Sequence, residues 1–103
     1  MRRRRVRDLK VERRGRGPRL VLLHGFTQTA RSWNGLGDGL SNRFEVVSID
    51  APGHGGSSEV RADLPSGAAL VADADAGGHG TYVGYSMGGR LALHVALAFP
   101  QLV

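Results

Sequence analysis

Three short strand-like runs punctuate the chain, and each stops at glycine and polar residues. Leu20–Leu23 is continuously apolar and ends at His24-Gly25, Phe44–Ile49 ends at Asp50 and is closed by Pro52-Gly53, and Thr81–Tyr85 runs directly into Ser86. Runs of this length with little alternation predict strands covered on both faces, as in a parallel sheet. Helical stretches fall between them. Thr29–Leu40 predicts a poor helix, weakened by Gly35, Gly37 and Gly39. Asp63 is placed to cap a helix from about Leu64 to Asp75, with Pro65 tolerated in its first turn. Gly77-Gly78-His79-Gly80 breaks that helix. Met87–Phe99 predicts another, ended by Pro100. Lys10–Arg13 alternates weakly and predicts a short edge strand, with Arg14–Pro18 as a turn, and residues 51–58 form a loop by turn chemistry.

Strands alternating with helices predict an α/β fold: a mostly parallel sheet with helices on both faces. In such sheets the ligand site lies beyond the carboxyl ends of the strands. Gly25-Phe26, Asp50 to Ser58 and Ser86 fall there.

Composition narrows the picture. The 103 residues suit one small domain, and 41% hydrophobic with 22% charged residues reads as globular. No apolar run approaches the roughly 20 residues needed to span a bilayer. There is no cysteine, which excludes disulfides, thiolate zinc sites and cysteine nucleophiles. The net charge of +5 is uneven. Residues 1–19 carry ten Lys/Arg against Asp8 and Glu12, whereas residues 20–103 have a net charge of −3. The chain therefore divides into a basic arm, residues 1–8, and a domain over 9–103. The arm reads as a solvated tail or an upstream start rather than a nucleic-acid or membrane anchor, because no aromatic residues interleave with its charges. No apolar stretch follows it, so it is not a secretory signal. The expected partner is a small-molecule substrate in the cytoplasm, with no nucleic acid, membrane, metal or organic cofactor.

Gly84-Tyr85-Ser86-Met87-Gly88 carries the candidate chemistry. A Gly-x-Ser-x-Gly between a buried strand and an apolar helix is the context of a nucleophile elbow. The glycines let backbones pass closely, the serine hydroxyl is pushed into the cleft, and the Met87 N–H lies at a helix start suited to a developing anion. His24-Gly25-Phe26 follows the earlier strand, and the Phe26 N–H would be the second oxyanion donor. Two such donors are what acyl transfer needs, at about 3 kcal/mol of barrier each. His24 itself reads as structural. Asp50 and His54 invite a triad reading, but they precede the serine, and their loop reads as a rigid turn beside the cleft. Arg90, four residues after Ser86, is the only charged residue between Ser86 and Phe99 apart from the histidine. The spacing stacks it one turn along the same helix face. It would either hold a substrate carboxylate in a bidentate pair or serve the fold as a salt bridge or a snorkelling stem.

Together LHGF, DAPGHGGSS and GYSMGGRLALHVALAFP resemble the N-terminal half of the α/β-hydrolase superfamily, over about residues 9–103. The GYSMGGR string after LHGF is most similar to that of the 2-succinyl-6-hydroxy-2,4-cyclohexadiene-1-carboxylate synthases of menaquinone biosynthesis, which eliminate pyruvate instead of hydrolysing an ester. That resemblance implies a triad serine at Ser86 and substrate contacts from Tyr85 and Arg90, the latter through a carboxylate. An esterase and a lyase are both compatible with the motifs.

In this fold the acid and histidine follow the serine. After Ser86 the chain has no Asp or Glu and one histidine, His94, about 12 Å along the helix. A general base must lie within about 3 Å, so His94 reads as packing or surface, and His79 is at the wrong end of its strand. The superfamily's domain is much longer than 103 residues. The expectation is therefore a fragment whose own activity is lost, with Thr81–Tyr85 left as an exposed edge prone to self-association. The alternative is a non-catalytic remnant.

Overall fold

The computed structural model describes residues 8–103, so residues 1–7 of the basic arm lie outside the described residues. Seven elements follow in order: β1 (Val11–Arg14), β2 (Arg19–Leu23), α1 (Asn34–Leu40), β3 (Glu45–Ile49), α2 (Leu64–Ala72), β4 (Thr81–Gly84) and α3 (Met87–Ala98). The sheet order is β1-β3-β2-β4. β2 runs parallel to β3 (Leu20 beside Val46) and to β4 (Leu23 beside Gly84), and β1 lies antiparallel on β3. The predicted mostly parallel sheet with helices on both faces is what forms.

The strands alternate their apolar side chains between two cores, which is why β2 and β3 read as continuous runs. Val21, Leu23, Val47 and Ile49 pack with Ala68 and Val71 of α2 and Leu91 and Val95 of α3. On the opposite face Leu20, Leu22 and Val46 meet Trp33, Leu40 and Phe44. β4 is the outer strand, with Val83 exposed, and Leu93 and Leu97 of α3 stand in solvent. Among the described residues no helix is long and apolar enough to cross a membrane.

Two helices differ from expectation. Thr29–Leu40 splits into a 3-10 turn, Ala30–Trp33, and the seven-residue α1. The Thr29 side chain caps that turn at Arg31, and a carboxylate from β3's end takes the Ala30 N–H. α2 stops at Ala72, because Asp73 turns extended and its side chain accepts the Asp75 N–H. Beyond the arm, three arginines of the domain are paired. Arg13 donates to the Asp75 and Ala76 carbonyls, Arg14 pairs with Asp38, and Arg19 pairs with Glu45 at 2.7 Å. Those arginines tie β1 to α1 and to the turn after α2, and β2 to β3.

Candidate active site

The loops leaving the carboxyl ends of β2, β3 and β4 converge. The Tyr85 N–H donates to the Leu23 carbonyl at 3.0 Å, carrying the β2–β4 ladder one residue past the strand. The chain then reverses into α3. A Cβ at Gly88 would overlap the Leu23 carbonyl, and one at Gly84 would overlap the Gly88 backbone. Only glycine allows so close an approach.

Ser86 is the residue at the turn. Its φ is 54° and ψ −109°, a conformation costing a non-glycine residue about 1–3 kcal/mol. It is exposed and occupies the N-cap position of α3, yet its side chain makes no capping bond. Serine at an N-cap ordinarily accepts a backbone N–H. Here the Oγ has no hydrogen-bond partner among the described residues, and neither has the Met87 N–H.

The β2 loop touches this turn, since a Cβ on Gly25 would come within 2.8 Å of the Tyr85 ring. The Gly25 N–H donates to Gln28 Oε1 at 2.9 Å, and the Thr27 N–H to His54 Nε2 at 3.2 Å. The Phe26 N–H between them donates to nothing described. Its side chain is 70% exposed. Thr27 sits at φ 65°, where a β-branched residue is a genuine outlier.

The β3 loop does the opposite with its polar groups. Asp50 Oδ1 accepts the Ala30 N–H at 2.7 Å and Oδ2 the Gly56 N–H at 2.8 Å. Ser57 Oγ donates to the Asp50 carbonyl and accepts the Lys10 N–H. His24, buried beneath, has Nδ1 2.7 Å from the Gly25 carbonyl and accepts the Ala51 N–H on Nε2 at 2.9 Å. A carbonyl facing one nitrogen and an N–H facing the other fix the neutral ring with its proton on Nδ1. Burial, helped by nearby His54, holds its pKa below the usual histidine value against the Gly25 hydrogen bond and Asp50.

No described group is placed to take a proton from Ser86. His24 and His54 spend both nitrogens on backbone, His79 is exposed on the loop before β4, and His94 lies close enough to Asp63 to lower its pKa beyond what the Ser66 bonds do. Arg90 is exposed one turn beyond Ser86, its N–H on the Ser86 carbonyl at 3.2 Å, and its guanidinium pairs with nothing described. Tyr85 is 61% exposed beside it. A cleft of about 840 Å³ lies elsewhere, between Val11 and Arg13 of β1 and Ser66 and Leu70 of α2, and the β3 loop reaches it only with Arg61 and Ala62. Sequence reasoning passed over Gln28 and the left-handed Thr27. No sequence signal marks Thr27, because a β-branched residue is a poor candidate for positive φ.

Known proteins share this fold. The family model for the alpha/beta hydrolase fold matches residues 18–103. A pimeloyl-[acyl-carrier protein] methyl ester esterase of Nitrosomonas europaea is 36% identical over 97 residues, covering 93% of this chain and 38% of its own length. That of Vibrio campbellii is 42% identical over 90 residues, covering 86% and 35%. Among solved structures, a marine microorganism esterase superposes with a TM-score of 0.81 at 27% identity, covering 93% of this chain and 39% of that one. The E-2-(acetamidomethylene)succinate hydrolase superposes at 0.77 with 31% identity, covering 92% and 37%. The chain thus spans somewhat over a third of the length of these relatives, with the two glycine-bounded turns inside the matched segment. It belongs to the α/β-hydrolase fold family.

Proposed function

We propose that this chain supplies the nucleophile and the oxyanion donors of a serine esterase acting on a small, carboxylate-bearing ester. The observation that carries the reading is Ser86: strained, exposed, and with its hydroxyl unspent at a helix start. Ser86 Oγ attacks the ester carbonyl carbon, and its proton passes to a histidine. In an enzyme of this class that histidine and its acid follow the serine in the chain, beyond the segment matched here. The negative oxygen of the tetrahedral intermediate accepts from Phe26 and Met87 N–H. The alcohol leaves with the proton, and water then cleaves the acyl-Ser86 ester. Arg90 pairs with the substrate's second, charged end, and the Tyr85 ring covers the approach. The relatives' names support this direction, one specifying a methyl ester and another a succinate. They support an esterase rather than a pyruvate-eliminating lyase.

A fluorophosphonate probe, used on the protein carrying the complete triad, tests the nucleophile. Peptide mapping is expected to find the adduct on Ser86, and Ser86→Ala is expected to abolish it. Equal labelling of Ser57, Ser58 or Ser66, or labelling that survives Ser86→Ala, would overturn the assignment. Turnover of a dicarboxylate methyl ester, with none of the succinylated cyclohexadiene precursor of menaquinone, separates esterase from lyase in the protein carrying the complete triad.

A further inference from the structure

We infer that His54 is a positioning residue for the oxyanion donor of Phe26, an inference that rests on the serine-esterase reading of the same site. His54 lies on the β3 loop, 27 residues from Thr27, and contacts the β2 loop in three ways. Its Nε2 accepts the Thr27 N–H at 3.2 Å. Its ring meets the Phe26 ring edge-on, with centroids 5.5 Å apart and planes at 77°. It also lies against the buried His24 ring at 5.1 Å. The other nitrogen, Nδ1, is 3.0 Å from the Pro52 carbonyl. A carbonyl on one side and an amide N–H on the other put the proton on Nδ1 and leave Nε2 as the acceptor.

The need for such an acceptor follows from the loop. Thr27 holds a left-handed conformation that threonine disfavours, and such a residue persists only where its surroundings over-determine it. Three bonds do so: Gly25 N–H to Gln28 Oε1, Gln28 N–H to the Gly25 carbonyl, and Thr27 N–H to His54. The first two close the loop on itself. Among these three bonds, His54 alone ties the loop to another strand's end. Without it, Thr27 relaxes toward negative φ, rotating the peptide planes on either side of Phe26. The Phe26 N–H then leaves the cleft above Ser86. His54 touches no reacting atom in this account and acts through Thr27.

Three measurements test this, the first two on the chain and the labelling on the protein carrying the complete triad. In the unaltered protein, histidine side-chain ¹⁵N spectra at pH 7.5 are expected to show His54 protonated on Nδ1; a proton on Nε2 overturns the inference. Amide hydrogen exchange at Thr27 is expected to speed up at least tenfold in His54→Ala and His54→Asn. His54→Gln, which returns an acceptor near the Nε2 position, is expected to restore protection while β2 and β3 amides stay unchanged. Equal exchange in all four proteins overturns the inference. Fluorophosphonate labelling of Ser86 is expected to slow at least fivefold in His54→Ala and recover in His54→Gln. If Ser86 is unlabelled in the unaltered protein, the esterase reading fails, and the exchange pattern alone decides whether His54 holds the loop. If Ser86 labels normally and His54→Ala labels as fast, the positioning role fails while the nucleophile stands.

Discussion

The starts of α2 and α3 present the same local problem and solve it differently. Asp63 precedes α2 with extended backbone, φ −74° and ψ −179°, and its side chain accepts the Ser66 N–H at 2.9 Å. That bond lowers its pKa. Ser86 precedes α3 with φ 54°, and its side chain accepts nothing. Serine and aspartate are about equally good caps, so residue chemistry does not explain the difference. The backbone does: the tight turn forced by Gly84 and Gly88 rotates Ser86 away from the helix it begins. One terminus uses its cap to stabilise the fold, and the other withholds it, leaving an open hydroxyl beside the open Met87 N–H.

The β3 loop belongs with Asp63 on the stabilising side, and the largest effect is expected there. Asp50→Ala leaves the Ala30 and Gly56 N–H groups without their acceptor, a loss of about 4 kcal/mol. Urea denaturation is expected to find the variant folded in water with its midpoint sharply lowered, most of the stability of a small domain being gone. Gly88→Ala drives a methyl into the Leu23 carbonyl and is expected to cost about 3 kcal/mol. An Ala variant as stable as the original would mean the elbow has slack. Ser86→Gly is expected to act in the reverse sense. Glycine accepts positive φ without strain, so thermal unfolding is expected to show a gain of about 1 kcal/mol together with loss of labelling. The same replacement at Asp63 is expected to lower stability, because it removes a cap in use.

The smallest expected effect is a pH dependence from His24. Its folded pKa lies below the unfolded value of 6.5. Between the two values the unfolded chain binds the proton and the folded chain does not, so stability falls as pH drops below about 6.5 and is level above it. His24→Gln is expected to remove that slope from a urea-midpoint series between pH 7.5 and 5.

The sheet was legible in the chain because β2 and β3 are covered on both faces, which leaves a run of apolar residues unlike any surface segment. The Asp63 cap was legible because it is local. The elbow was legible because a strand, two spaced glycines and a helix leave little freedom at Ser86. The split at Ala30 was not, since it depends on Asp50, 20 residues away. Nor was the work of Arg13, Arg14 and Arg19, whose partners come from α1, the β3 start and the turn after α2. His54 read as part of a rigid turn, but its bond to Thr27 depends on two strand ends meeting, which spacing along the chain does not reveal.

The Phe26 and Met87 N–H groups are proposed as the oxyanion donors for Ser86, open before substrate arrives. Amide spectra of the ¹⁵N-labelled protein carrying the complete triad, before and after phosphonylation of Ser86, test that proposal directly. The phosphonyl oxygen stands where the ester's negative oxygen would be. The Phe26 and Met87 amide protons are expected to move downfield together, with Gly25 and Thr27 nearly still. Adduct formation that leaves Phe26 and Met87 unmoved would contradict the account.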